Sequence, residues 1–111
     1  MGFLLAVARK MSLTSKINQY NFETTQISQR KETITNRLSQ LQQMAQGLDA
    51  ESPDAQFLEL QKQMLITMSN SLDLRLQQIE SLSQIAKSEV NSLSDDAINA
   101  EIASSVGGYV G

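Results

Sequence analysis

Gly47-Leu48-Asp49-Ala50-Glu51-Ser52-Pro53-Asp54 is the stretch that decides the fold. Pro53 is the only proline in 111 residues, and Gly2, Gly107, Gly108 and Gly111 leave Gly47 as the only glycine away from the ends. A chain so poor in turn formers has one marked interruption, and it falls here. Gly47 fits the C′ position after a first helix, where a left-handed residue closes off the last carbonyls. Ser52-Pro53-Asp54 fits an N-cap, a proline in the first helical position and an acid in the first turn of a second helix. The connection from Leu48 to Glu51 has the length usual between bundle helices. The expected fold is all-α: a long antiparallel helical hairpin of coiled-coil type with a short C-terminal helical segment. It divides into an apolar N-terminal arm or helix start over 1–11, helix 1 over 12–47, the turn over 48–52, helix 2 over 53–93, and a short C-terminal helix with a flexible tail over 94–111. Helices of about 35 and 41 residues would run roughly 52 and 60 Å, close enough in length to pair.

Upstream of the turn, Leu13, Ile17, Tyr20, Ile27, Ile34, Leu38, Leu41, Ala45 and Leu48 follow alternating steps of four and three. Only Thr24 and Lys31 interrupt the series. So narrow a seam predicts coiled-coil packing rather than a broad globular face. Lys31 at a seam position costs stability but can fix register; alternatively its stem lies along the seam and its ammonium reaches water. Downstream, Leu58, Leu65, Met68 and Leu72 make one stripe, and Leu76, Ile79, Ala86, Val90 and Leu93 continue it. The step of four from Leu72 to Leu76 reads as a stutter that locally unwinds the supercoil. Phe57, Leu60, Met64, Leu74, Leu82 and Ile85 lie beside the stripe, more apolar surface than one partner helix covers. Excess of that kind is a sign of further association. The residues expected to pack or assemble are thus Phe3, Val7, Leu13, Ile17, Tyr20, Ile27, Ile34, Leu38, Leu41, Leu58, Leu65, Met68, Leu72, Leu76, Ile79, Ala86, Val90 and Leu93, with Gly47, Ser52 and Pro53 forming the turn. An Asp in place of Leu72 or Ile79 is expected to abolish assembly.

At the start, Phe3-Leu4-Leu5-Ala6-Val7-Ala8 is followed by Arg9 and Lys10, the reverse of the charge order in a signal peptide. The run is also far shorter than the roughly 20 apolar residues of a membrane span. The expected location is therefore cytoplasmic, or outside the cell by export without a cleaved signal peptide. At the other end, Ser94-Asp95-Asp96 reads as an N-cap with acids in its first turn, or as helix 2 continuing after a kink.

Composition excludes several chemistries. The chain has no Cys and no His, so no thiol nucleophile, imidazole base or zinc site of the usual kind can form. A net charge of −3 and a pI near 4.8 argue against nucleic acid as partner. Residues 1–47 carry a net +4 and residues 48–111 a net −7, a complementarity that favours pairing of the two helices. About a third of the chain is Ser, Thr, Asn or Gln, a surface that can pack on copies of itself with little repulsion or desolvation. The near pairs Glu51/Asp54 and Asp95/Asp96 sit at apparent helix starts, where the dipole favours acids. Met64 and Met68, four apart, read as packing residues. No phosphate loop, dinucleotide fingerprint or nucleophile elbow occurs, so the expectation is no enzyme, no cofactor and no metal.

The hairpin with its short, polar, proline-containing turn at Leu48-Asp49-Ala50-Glu51-Ser52-Pro53-Asp54 resembles the small helical-hairpin subunits of bacterial specialised secretion systems, type III needle subunits in particular. The resemblance covers roughly residues 13–93. It implies polymerisation into a hollow helical tube and export without a cleaved leader. This chain is longer than a typical needle subunit and lacks the second proline usual in that turn. The expected function is a self-assembling structural subunit, with itself as partner. The alternative is a cytoplasmic coiled-coil adaptor or chaperone binding another helical protein. A third reading places Phe3, Leu4 and Val7 in a membrane surface with Arg9 and Lys10 at the headgroups, which a single short arm would hold only weakly.

Overall fold

A computed structural model describes residues 2–110, with side chains described for 2–93, 95, 99 and 103. Two helices, α1 (Phe3–Ala45) and α2 (Pro53–Val110), form an antiparallel helical hairpin, with no strand among the described residues. Contacts divide the chain into two compact units, Met1–Phe22 with Ile79–Gly111 and Glu23–Gln78. Each unit pairs a stretch of α1 with a stretch of α2.

The turn is built by backbone chemistry at few residues. Gly47 has φ +80, the only positive φ among the described residues, and the Leu48 amide donates to the Ala45 carbonyl at 3.2 Å. The left-handed residue stops α1 two residues earlier than expected and leaves Leu48 exposed in the turn, outside the seam. Asp49 then organises the return: its carboxylate accepts from the Glu51 amide at 3.2 Å, and its carbonyl accepts from the Ser52 amide at 2.9 Å and the Ser52 hydroxyl at 2.7 Å. The Ser52 Oγ accepts in turn from the Ala55 amide at 3.2 Å, satisfying one of the open donors at the start of α2.

In the unit Glu23–Gln78, Ile27, Ile34 and Leu41 of α1 and Leu58 of α2 are buried, with Leu38, Leu65, Leu72 and Leu76 half-buried around them. In the other unit Ala6, Leu13, Ala86 and Leu93 form a buried cluster with Ile17 and Val90 packed on it, and Ile79 and Ser83 are buried too. Every buried apolar residue falls on one seven-residue series per helix: Ala6, Leu13, Ile27, Ile34, Leu41 on α1 and Leu58, Ile79, Ala86, Leu93 on α2. Half-buried Tyr20, Leu65 and Leu72 complete these series. The second seam position is mixed: Ile17, Lys31, Leu38 and Ala45 on α1, and Ser69, Leu76, Ser83 and Val90 on α2. One apolar position facing one mixed position is the pattern of a two-helix seam. The core is correspondingly thin, and no described side chain is fully buried.

Residues 3–11 belong to α1, the helix-start alternative: α1 begins at Phe3, the Ala6 amide donates to the Gly2 carbonyl at 3.0 Å, and Ala6 is buried one heptad before Leu13. Two expectations about α2 are corrected. The C-terminal segment does not begin anew at Ser94; α2 runs on to Val110, because no Gly or Pro breaks the chain between Asp54 and Val106. The proposed tail from Gly107 thus lies within α2 as far as Val110, and Gly111, like Met1, is outside the described residues. Second, there is no stutter. Met68 is exposed and Ser69 is half-buried, so the seam runs Leu65, Ser69, Leu72, Leu76 in steps of four, three and four.

Candidate interaction surface

Among the described residues three ion pairs cross between the helices, each within one unit. Arg9 Nε lies 3.0 Å from Glu89 Oε1, Lys31 Nζ pairs with Asp73 Oδ1, and Arg75 Nε lies 2.7 Å from Glu23 Oε1. Two join a cation of α1 to an acid of α2, the sense of the charge asymmetry, and Arg75–Glu23 runs the other way. Lys31 occupies its seam position with the ammonium turned onto Asp73 rather than left to water alone. The hydrogen bond from Arg75 holds the Glu23 carboxyl below the usual glutamate range. These pairs are each about two-fifths exposed, so they set register more than they stabilise.

The hydroxyls of Thr14, Thr33, Thr35 and Thr67 donate to the carbonyls four residues back, which satisfies these polar groups within their own helices. Among the described residues no buried side-chain polar atom lacks a partner, and no three Asp or Glu converge as a metal site would require. Glu51 and Asp54 serve the turn and the first turn of α2. No helix is long and apolar enough, over the described residues, to cross a membrane.

The feature left over is apolar and exposed. In the unit Glu23–Gln78, Phe57, Leu60, Met64 and Leu74 each present 59–62% of their surface to solvent, and Met68 presents 54%. Phe57, Leu60, Met64 and Leu74 lie on a second heptad series of α2, completed by Thr67 and Ser71 in steps of three and four. Its flanks are Gln56, Gln61, Gln63, Asn70 and Gln77, with charges only at the two ends, Asp54 and Arg75, and Arg75 is engaged by Glu23. Alongside runs an open groove of about 630 Å³ between Gln26, Gln29, Arg30, Thr33 and Ile34 of α1 and Thr67, Met68, Ser71 and Leu72 of α2. Met68, Thr67 and Ser71 thus belong both to the groove and to the outer face of α2.

The other unit has its own exposed apolar residues, Phe3, Leu4, Leu5, Val7 and Met11 at the start of α1, and Leu82 and Ile85 on α2. Of the residues expected to pack or assemble, Phe3, Val7 and Met68 are therefore exposed, while Leu72 and Ile79 belong to the hairpin's own seam. Sequence reading missed Ala6 and Ser69, both of which extending a seam in steps of seven would have found, and missed the groove, whose lining draws on both helices and has no periodic signal along either one. No protein-family model, no curated protein and no solved structure matches this chain.

Proposed function

We propose that this chain is a non-catalytic, self-assembling structural subunit, a helical hairpin that associates with copies of itself. The observation that carries the reading is the second heptad series of α2, whose apolar members Phe57, Leu60, Met64 and Leu74 stand at coiled-coil spacing yet are exposed. A water-facing row of large apolar side chains on a helix whose opposite seam is already occupied is expected where another helix docks. The apolar start of α1, in the other unit, supplies a second contact region. Two different contacts allow an open assembly, where a single self-complementary one closes at a dimer. A filament or tube of a secretion-type apparatus is the finer form of this proposal, supported by the resemblance of the proline-containing turn.

Sedimentation velocity over a hundredfold concentration range tests the reading. Growth into larger species with concentration is expected, followed by imaging for a helical lattice. A sharp monomer throughout would overturn it and favour the alternative, an adaptor whose groove at Ile34, Met68 and Leu72 takes a helix of another protein.

A further inference from the structure

Resting on the self-assembly reading, we infer that the outer face of α2 docks on the same face of a second copy, antiparallel, about a local two-fold axis between Leu65 and Ile66. Three observations select this occupant.

The first is charge. From Gln56 to Leu74 the face and its flanks carry no formal charge, so two copies meet without repulsion and without stripping water from ions. A charged partner helix would lose the hydration of its charges against Gln and Met and gain no counter-charge.

The second is area. Five side chains about three-fifths exposed, each of roughly 200 Å² when free, offer about 600 Å² per copy, most of the ~800 Å² per partner typical of a stable interface. The polar members Thr67 and Ser71, with the flanking glutamines, supply the remainder.

The third is shape. The antiparallel arrangement sets Phe57 opposite Leu74, Leu60 opposite Ser71 and Met64 opposite Thr67. Leu60 and Met64 then face the smaller Ser71 and Thr67, at the level of the groove beside Thr67, Met68 and Ser71 of the other copy, while Phe57 and Leu74 meet at the two ends. A parallel pair would stack Phe57 on Phe57 and leave Thr67 and Ser71 facing their equivalents across a gap. The antiparallel pair also opposes the two helix dipoles.

The chain has no cysteine, so engineered thiols report without background. Single-cysteine chains L60C and S71C, both at exposed positions and checked for unchanged helicity by circular dichroism, are mixed in equal amounts and oxidised gently. Mass spectrometry of the linked dimers separates the mixed species from the two like-with-like species. The expected result is the L60C–S71C dimer in excess over the statistical mixture. Excess of like-with-like dimers would overturn the antiparallel register. Absence of any link, with the wild-type chain still growing by sedimentation, would overturn this interface and leave self-assembly standing through another surface. Absence of both would overturn the two together.

Discussion

Arg75 donates to both carboxylate oxygens of Glu23, from Nε at 2.7 Å and from Nη2 at 3.1 Å. This forked contact fixes the level of α2 against α1 more tightly than a single-point pair would. It runs against the overall charge asymmetry, which places the cations on α1. Register is therefore set by individual pairs rather than by bulk complementarity.

The pair gives the fold an acid-sensitive component. Glu23 has its pKa lowered by the hydrogen bond from Arg75, so the stability it contributes is present above the ordinary glutamate value, about 4.3, and is lost as pH falls through the depressed one. Thermal melts of the wild type should lose stability across that window. Glu23→Gln should be less stable at neutral pH and should show a shallower loss on acidification. An unchanged acid slope in Glu23→Gln would assign the sensitivity to other carboxylates.

Seam register can be read from a pair of substitutions. Ser69→Leu places an apolar side chain at a half-buried seam position and should raise stability by about 1 kcal/mol, while Met68→Ser on the outer face should leave it within about 0.5 kcal/mol. Denaturant midpoints measure both. The reverse ranking would restore a seam through Met68.

The turn offers two independent losses. Gly47→Ala should cost about 1–2 kcal/mol from the left-handed backbone alone, since an added Cβ meets nothing within 4 Å. Ser52→Ala should cost about 1 kcal/mol through the lost cap to the Ala55 amide. With no shared hydrogen bond between the two residues, the losses should add in the double variant.

Ile79 is 2% exposed, and Ile79→Ala should cost about 2–4 kcal/mol, a large share of what so thin a core provides. Chemical denaturation followed by circular dichroism measures it. An Asp at Ile79 should unfold this part of the hairpin and thus cannot report on assembly, contrary to the expectation from sequence.

The hairpin was legible in the sequence because its punctuation is concentrated in one place and its seam recurs over many heptads. Gly47, Ser52 and Pro53 each carry a conformational preference that tertiary context had no reason to override. The boundaries were less legible. Phe3 to Lys10 reads equally as an arm or as helix until Ala6 is seen to pack, and Ser94-Asp95-Asp96 resembles a cap in isolation but is tolerated inside an established helix. The misplaced stutter has a simple cause: Met68 is more apolar than Ser69, so hydrophobicity alone drew the stripe through the wrong residue. The outer face was visible as surplus, but assigning Leu72 and Ile79 to the hairpin and Met64 to the surface required the burial that only three dimensions give.

The most direct test of the self-assembly account is sedimentation velocity of Met64→Glu beside the wild type at matched concentrations, with circular dichroism of both. Met64 is 60% exposed, so the charge should leave the helicity of the hairpin unchanged. Placed on an otherwise uncharged face, it should shift the chain to smaller species at every concentration at which the wild type associates. Equal size distributions for two equally folded chains would contradict the account.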